Sequence, residues 1–215
     1  MSLLKLIDLI QQRLLQPLPG FEAHEKMMGR VVAMPSSIPE NAKLSAVMNL
    51  LFPIDGLLHI VLIRRTEDGK AHSGQVSFPG GRMDATDPDL QYTAMRELEE
   101  EVGVTSSSIQ LLGALSPLYI PVSNFHVYPF VGFSQQQPVF QLSEQEVSKL
   151  LIVSLNDLFH NSRKTKASVT SPADPNFKRI VNAYQLNDGS IIWGATAMIL
   201  AELETIFAEI TSSIK

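Results

Sequence analysis

The sequence predicts a single α/β domain in which a mixed sheet is covered on both sides by helices. Three observations carry this. Short runs rich in Val, Ile, Leu and Phe, bounded by Gly, Pro and Asp, occur before, beside and after one central helical segment. A second helical segment with an apolar face closes the chain. No internal repeat or long linker divides the 215 residues, which one generous domain accommodates.

The elements follow in order. Leu3, Leu4, Ile7, Ile10, Leu14 and Leu15 have helical spacing, and Pro17 with Pro19-Gly20 ends that helix. Residues 1–20 are thus an amphipathic extension expected to pack on the body. Residues 34–43 read as loop. Residues 44–53 and 57–64 read as strands around the turn Ile54-Asp55-Gly56. Residues 66–74 are loop, and residues 75–78 form a short strand into the turn Pro79-Gly80-Gly81. The central helix is expected from about 88 to 102, with Asp87 as its cap, Pro88 in its first position and Gly103 at its end. Strands follow at 109–116 and 126–133, with residues 135–138 (QQQP) as a polar hairpin tip. Residues 144–151 are expected as helix, residues 152–159 as a further strand or turn, and residues 170–179 as exposed loop. Residues 179–186 and 190–193 read as a hairpin around Asp188-Gly189, and residues 195–210 as the closing helix.

Composition narrows the function. Cysteine is absent, which excludes disulfides, thiolate metal sites and a cysteine nucleophile. The net charge is −5 with no basic run, which argues against a nucleic-acid partner. An anionic substrate then needs a cation to offset the repulsion. No apolar stretch approaches the length of a membrane-spanning helix. Asp8, Gln11, Gln12 and Arg13 interrupt what would be the apolar core of a leader peptide. A cytoplasmic location without membrane attachment is the expectation.

Residues 96–103 (RELEEEVG) gather four glutamates in barely more than one helical turn, where like charges four apart are mutually destabilising. On a helical wheel Ala94, Met95, Leu98 and Val102 form one apolar stripe. Glu97, Glu100 and Glu101 share a face beside it, and Glu99 points the other way. Three convergent carboxylates suit a hard divalent cation such as Mg²⁺; read alone, the cluster more readily suits a solvated helix face, because glutamate-rich helix surfaces are common. Gly80-Gly81 bring the chain directly before this helix, with freedom for close backbone approach.

Taken together, the segment resembles the Nudix box, G-x5-E-x7-R-E-U-x-E-E-x-G-U with U aliphatic. Arg96 through Val104 fit every position of its second half. The first half departs. Gly81 and Arg96 are separated by 14 residues where the usual box has 13, and Pro88 stands eight before the arginine in place of glutamate. Asp84, Asp87 and Asp89 are the nearby acids. The departure resembles the coenzyme A diphosphatase subgroup, which has GG-x-x-D-x-x-D before the helix, here GGRMDATD, and an upstream stretch like residues 62–81 (LIRRTEDGKAHSGQVSFPGG). Residues 118–132, 146–155 and 192–200 are similar as well, so the likeness spans roughly residues 44–200.

The resemblance implies a Nudix-type α/β/α sandwich with a catalytic loop-helix-loop over one domain, residues 1–215, closed by a helix at 195–213. It implies metal-dependent hydrolysis of the diphosphate of coenzyme A or a derivative, giving 3′,5′-ADP and 4′-phosphopantetheine or its acyl form. Mg²⁺ or Mn²⁺ would sit on Glu97, Glu101 and Glu100, with Glu100 alternatively a base acting through water. Arg96 would orient a glutamate, and Glu146 is a candidate general base, with Glu144 competing for that role. Arg64, Arg65, His72, Gln75, Gly80 and Gly81 are the expected substrate contacts. Arg64 and Arg65 alternate faces on a strand, so only one can reach a given cleft. His126 is expected to be structural. Trp193, Phe78 and Tyr128 are expected in the core, or stacked on adenine. The expected partner is a small CoA-like nucleotide. Monomer and homodimer both fit. Two other readings stay open: a Nudix hydrolase of ADP-ribose, NADH or another nucleotide-linked diphosphate, and a Nudix-fold binding or regulatory module without turnover.

Overall fold

The computed structural model describes residues 2–28, 37–67, 72–171 and 174–213, with the side chains of residues 171–177 excepted. Helix α1 (Leu3–Leu14) buries Ile7, Ile10 and Leu14 of the expected stripe together with Leu6, while Leu4 and Leu15 are exposed. A short helix, α2 (Phe21–His24), follows. Of the expected loop at 34–43, residues 34–36 lie outside the described residues; residues 37–42 are loop, and strand β1 begins at Lys43. Residues 68–71 of the expected loop at 66–74, and residues 172 and 173 further on, also lie outside them.

Strand β1 (Lys43–Ile54) is the axis of the main sheet. It pairs antiparallel with β2 (Leu57–Arg65) and parallel with β7 (Phe125–Phe133), so the sheet is mixed, as expected. On β2 lie β3 (Val76–Ser77) and β8 (Val147–Ser154). On β7 lie β5 (Gln110–Ala114) and β6 (Leu118–Ile120). Strand β4 (Gly80–Arg82) pairs with the first half of β1, so the expected Pro79-Gly80-Gly81 turn continues straight into the ladder. Between β4 and β5 runs α3 (Leu90–Val102).

Side chains alternate across β1 and separate two cores. Ala46, Met48, Leu50 and Phe52 face Ala94, Leu98 and Val102 of α3. Leu51 faces the other way and belongs to the core of α1 and of α5 (Gly194–Ser212). Among the described residues no helix is long and apolar enough to cross a membrane.

Three expectations are corrected. Residues 144–151 are not a helix: after a single turn at Ser143 the chain enters β8, which satisfies the open backbone groups of β2. The β-branched Val147, Ile152 and Val153 favour that outcome. Residues 135–138 are not a hairpin tip, because β7 and β8 do not pair; the chain instead passes the end of α3, where Gln141 and Ser143 donate to the carbonyls of Val102 and Glu101. Residues 174–179 are strand, not loop. They belong to β10 (Asp174–Gln185), which pairs with β9 (Lys164–Ser171) in a second sheet completed by β11 (Ile191–Ile192). A one-turn helix, α4 (Leu155–Leu158), precedes β9.

Glu202 on α5 is fully buried and ties this layer together. It accepts from the Gly20 and Ser116 backbone N–H groups (2.9 and 3.0 Å), from the Ser116 hydroxyl (2.6 Å) and from His24 Nε2 (3.1 Å). Burial alone would raise its pKa; these hydrogen bonds outweigh burial and hold it below the usual value.

Candidate active site

Helix α3 starts one residue pair later than the sequence suggests. Asp89 is its cap, accepting from the Tyr92 N–H at 2.7 Å, and Leu90 takes the first position expected of Pro88. Gly103 ends it in the left-handed conformation. Within the 82–95 segment the chain closes a turn: Asp87 N–H donates to the Asp84 carbonyl, and Asp84 N–H donates to Asp87 Oδ2.

Asp87, expected as the cap, is instead buried against Arg96. Arg96 Nε and Nη2 donate to Asp87 Oδ1 and Oδ2, both at 3.0 Å, and Nη2 also reaches the Arg82 carbonyl at 3.2 Å. The remaining nitrogen, Nη1, lies 2.8 Å from Glu97 and donates to Glu100 at 2.7 Å. The Arg96 bond pulls the Asp87 pKa down to about 2, and Asp87 holds Arg96 firmly protonated. Arg96 therefore pairs with two glutamates, Glu97 and Glu100, besides Asp87.

Glu101 is buried between strands. Its Oε2 accepts from Gly80 N–H at 2.8 Å and its Oε1 from Arg65 Nη1 at 3.1 Å. Burial raises its pKa to about 8. The Gly80 N–H and Arg65 oppose that shift, while the charges of Glu97 and Glu146 add to it. The Glu97 carboxylate lies directly over the backbone of Gly81. Burial raises its pKa, Arg96 opposes this, and Glu100 and Glu146 add to it. Glu146 and Glu144 are both exposed, and the Glu146 charge reaches Glu97 and Glu101. Its backbone carbonyl accepts from Thr66 N–H at 3.0 Å, which fixes this loop beside the end of β2.

The three glutamates of the wheel do not converge. Glu100 is 56 % exposed and drawn toward Arg96, while Glu101 turns inward. Among the described residues no three acidic or histidine side chains form a ready-made metal cage. The donor set nevertheless fits a hard cation. Glu97 and Glu101 offer oxygen ligands in a place where burial and mutual repulsion already penalise their charge, and Mg²⁺ is usually held by one or two carboxylates with water and substrate phosphates. Glu99 is exposed, as the wheel requires.

Arg64 and Arg65 do alternate. Arg65 faces the carboxylates; Arg64 lies on the other face of the sheet, where its Nη2 donates to Ser190 at 2.6 Å, so the structure does not bring it to Glu97 or Glu101. His72 Nδ1 is 3.1 Å from Gln75 Oε1, and the Gln75 carbonyl accepts from Arg65 N–H, which links this pair to the Arg65 strand. His126 packs on Tyr128 with ring centroids 4.5 Å apart, and burial lowers its pKa. Phe78 is core, whereas Tyr128 and Trp193 are only half-buried; Arg179 stacks over Trp193 at 5.7 Å.

The position of Gly81 gives a separable test. A Cβ there would lie 2.4–2.5 Å from the Glu97 carboxylate, the mobile end of a side chain. Gly81→Ala is expected to cost about 1 kcal/mol or less of stability yet lower kcat on the order of 100-fold by displacing Glu97, as thermal melting and steady-state kinetics on one sample would show.

The main sheet is mixed and carries the glutamate-rich helix next to the Gly80–Arg82 strand, and comparison with known proteins identifies the class of protein built on it. The NUDIX domain family matches residues 43–173, and the chain belongs to it as a Nudix hydrolase. It is 36 % identical over 144 residues to the uncharacterized Nudix hydrolase NudL of Pectobacterium atrosepticum, covering 67 % of this chain and 72 % of that one. The NudL of Yersinia enterocolitica is 35 % identical over 144 residues, covering 67 % and 71 %. Among solved structures, the Nudix hydrolase RenU of M. smegmatis superposes with a TM-score of 0.51 at 13 % identity, covering 81 % of this chain and 88 % of that one. A MutT/nudix family protein of Enterococcus faecalis does so at 0.51 and 15 %, covering 97 % and 75 %. The two structural likenesses speak to the fold. Members of the family hydrolyse a nucleoside diphosphate linked to another moiety, generally with divalent cations.

Proposed function

We propose that the chain hydrolyses the diphosphate of coenzyme A or a derivative, releasing 3′,5′-ADP and 4′-phosphopantetheine or its acyl form. One observation carries this reading: the stretch at residues 62–81 that resembles the coenzyme A subgroup is in direct contact with the acidic helix, through Arg65 and the Gly80 N–H on Glu101.

Glu97 and Glu101 would hold Mg²⁺ or Mn²⁺, with Glu100 held beside them on Arg96 rather than as a direct ligand. The bound ion supplies charge neutralisation on the diphosphate and a lowered pKa for the attacking water. Arg65 screens Glu101 and lies where it can meet a phosphate oxygen once that carboxylate is otherwise engaged. Arg96 fixes Glu97 and Glu100 before substrate arrives, which is preorganisation rather than proton transfer. Glu146, exposed and electrostatically coupled to the half-buried Glu97 and the buried Glu101, is the proposed proton acceptor from water. His72 and Gln75 would border the substrate, with Gly80 and Gly81 forming its floor. A cytoplasmic enzyme, monomeric or dimeric, is consistent with this.

Incubation with Mg²⁺ and coenzyme A, acetyl-CoA, ADP-ribose or NADH, with the products separated chromatographically, tests the assignment. Formation of 3′,5′-ADP from the coenzyme A compounds at a kcat/KM at least about tenfold above the others is expected. Preference for ADP-ribose or NADH would move the chain to another Nudix hydrolase specificity, and no turnover of any would favour a binding module.

A further inference from the structure

The geometry points to Asp87 as a positioning residue for the metal site, acting through Arg96 and standing in for the glutamate that Pro88 displaces. This rests on the proposed metal role of Glu97. The box pattern puts a carboxylate eight residues before the arginine. Here that position is Pro88, which carries none, and the segment is one residue longer. The closed turn at Asp84–Asp87 aims the neighbouring carboxylate inward.

Every oxygen of Asp87 is then used. Oδ1 takes Arg96 Nε, and Oδ2 takes Arg96 Nη2, the Thr93 hydroxyl at 2.9 Å and the Asp84 N–H. The two-point bond fixes the plane of the guanidinium, and the Arg82 carbonyl fixes it further. Only Nη1 is left, and it is directed at Glu97 and Glu100. A lysine or a loose arginine would satisfy one glutamate at a time; the pinned fork sets both. Thr93 is itself fully buried and sits on α3, so the anchor and the glutamates share one rigid element. Such outer partners of metal-binding carboxylates typically matter by ~10–100-fold in metal affinity or activity.

The test compares Asp87→Asn, Asp87→Glu and Thr93→Val with wild type, using Glu97→Gln as a metal-site control and Glu99→Gln as a control outside the site. Mn²⁺ affinity is read by electron paramagnetic resonance, stability by thermal melting, and kcat and KM with Mg²⁺ and coenzyme A. Asp87→Asn is expected to weaken Mn²⁺ binding and lower kcat per folded molecule by ~10–100-fold with KM changed little, and Asp87→Glu to restore part of both. A melting shift alone, with Mn²⁺ affinity and kcat unchanged, would overturn the inference. Should Asp87→Asn not fold, Thr93→Val decides: a loss of a few-fold in Mn²⁺ affinity supports the role and no loss refutes it. Retained Mn²⁺ binding in Glu97→Gln defeats the metal assignment itself, a result distinct from any outcome at Asp87. Absence of coenzyme A turnover defeats only the substrate, because the Mn²⁺ readout still stands.

Discussion

Glu97→Gln and Glu101→Gln should each lower kcat/KM on the order of 10³-fold or more while the protein stays folded. The two losses have different accompaniments. Glu97 is partly exposed and held by Arg96, so its amide should leave melting nearly unchanged. Glu101 is buried with a pKa raised to about 8 from 4.5. Between those values the folded chain keeps a proton that the unfolded chain has released. Folding without metal is therefore favoured by this group below pH 4.5 and loses that contribution as the pH rises through about 8, by roughly 3–5 kcal/mol in all. Metal-free wild type should melt at lower temperature at pH 8.5 than at pH 5, and Glu101→Gln should flatten that dependence. A wild-type profile as flat as the variant's would contradict the buried placement of this carboxylate.

The largest expected effect on stability lies one residue from Gly81. Gly80 has φ of +155°, and a Cβ there would stand 2.4 Å from the Ala46 carbonyl oxygen and 2.6 Å from Val47 Cα. Both are backbone atoms of the central strand and cannot swing aside. Gly80→Ala should cost about 3 kcal/mol or more, measured by urea denaturation, or prevent folding. It would also move the N–H that holds Glu101, so any folded fraction should have little activity. Neighbouring glycines thus separate two demands: Gly80 permits the close approach of β4 to β1, and Gly81 leaves room for the Glu97 carboxylate.

The acidic helix was more legible than the segments around it, for physical reasons. Helical periodicity is local, so the buried faces of Leu98 and Val102 and the outward Glu99 followed from spacing alone. The same wheel overstated the convergence of Glu100, because it cannot show that Arg96 draws that side chain outward or that Arg65 draws Glu101 inward. Asp87 and Asp89 are both good caps by composition. Which of them caps was decided by the partner available to the other, and that partner, Arg96, lies nine residues away. Strand β8 was missed because Val147, Leu150 and Leu151 satisfy a helical pattern as well as a strand pattern until β2 offers its ladder. Glu202 gave no local signal at all: its partners at Gly20, His24 and Ser116 come from distant parts of the chain, and a glutamate in a helix reads as solvated until they are known.

The central claim is that the Glu97 and Glu101 carboxylates jointly bind a divalent cation, and Mn²⁺ titration by electron paramagnetic resonance addresses it most directly. At pH 8 wild type should bind the ion and release protons as Glu101 ionises, while the Glu97→Gln/Glu101→Gln double variant, folded by thermal melting, should bind at least about 100-fold more weakly. Equal Mn²⁺ affinity in the folded double variant would contradict the account.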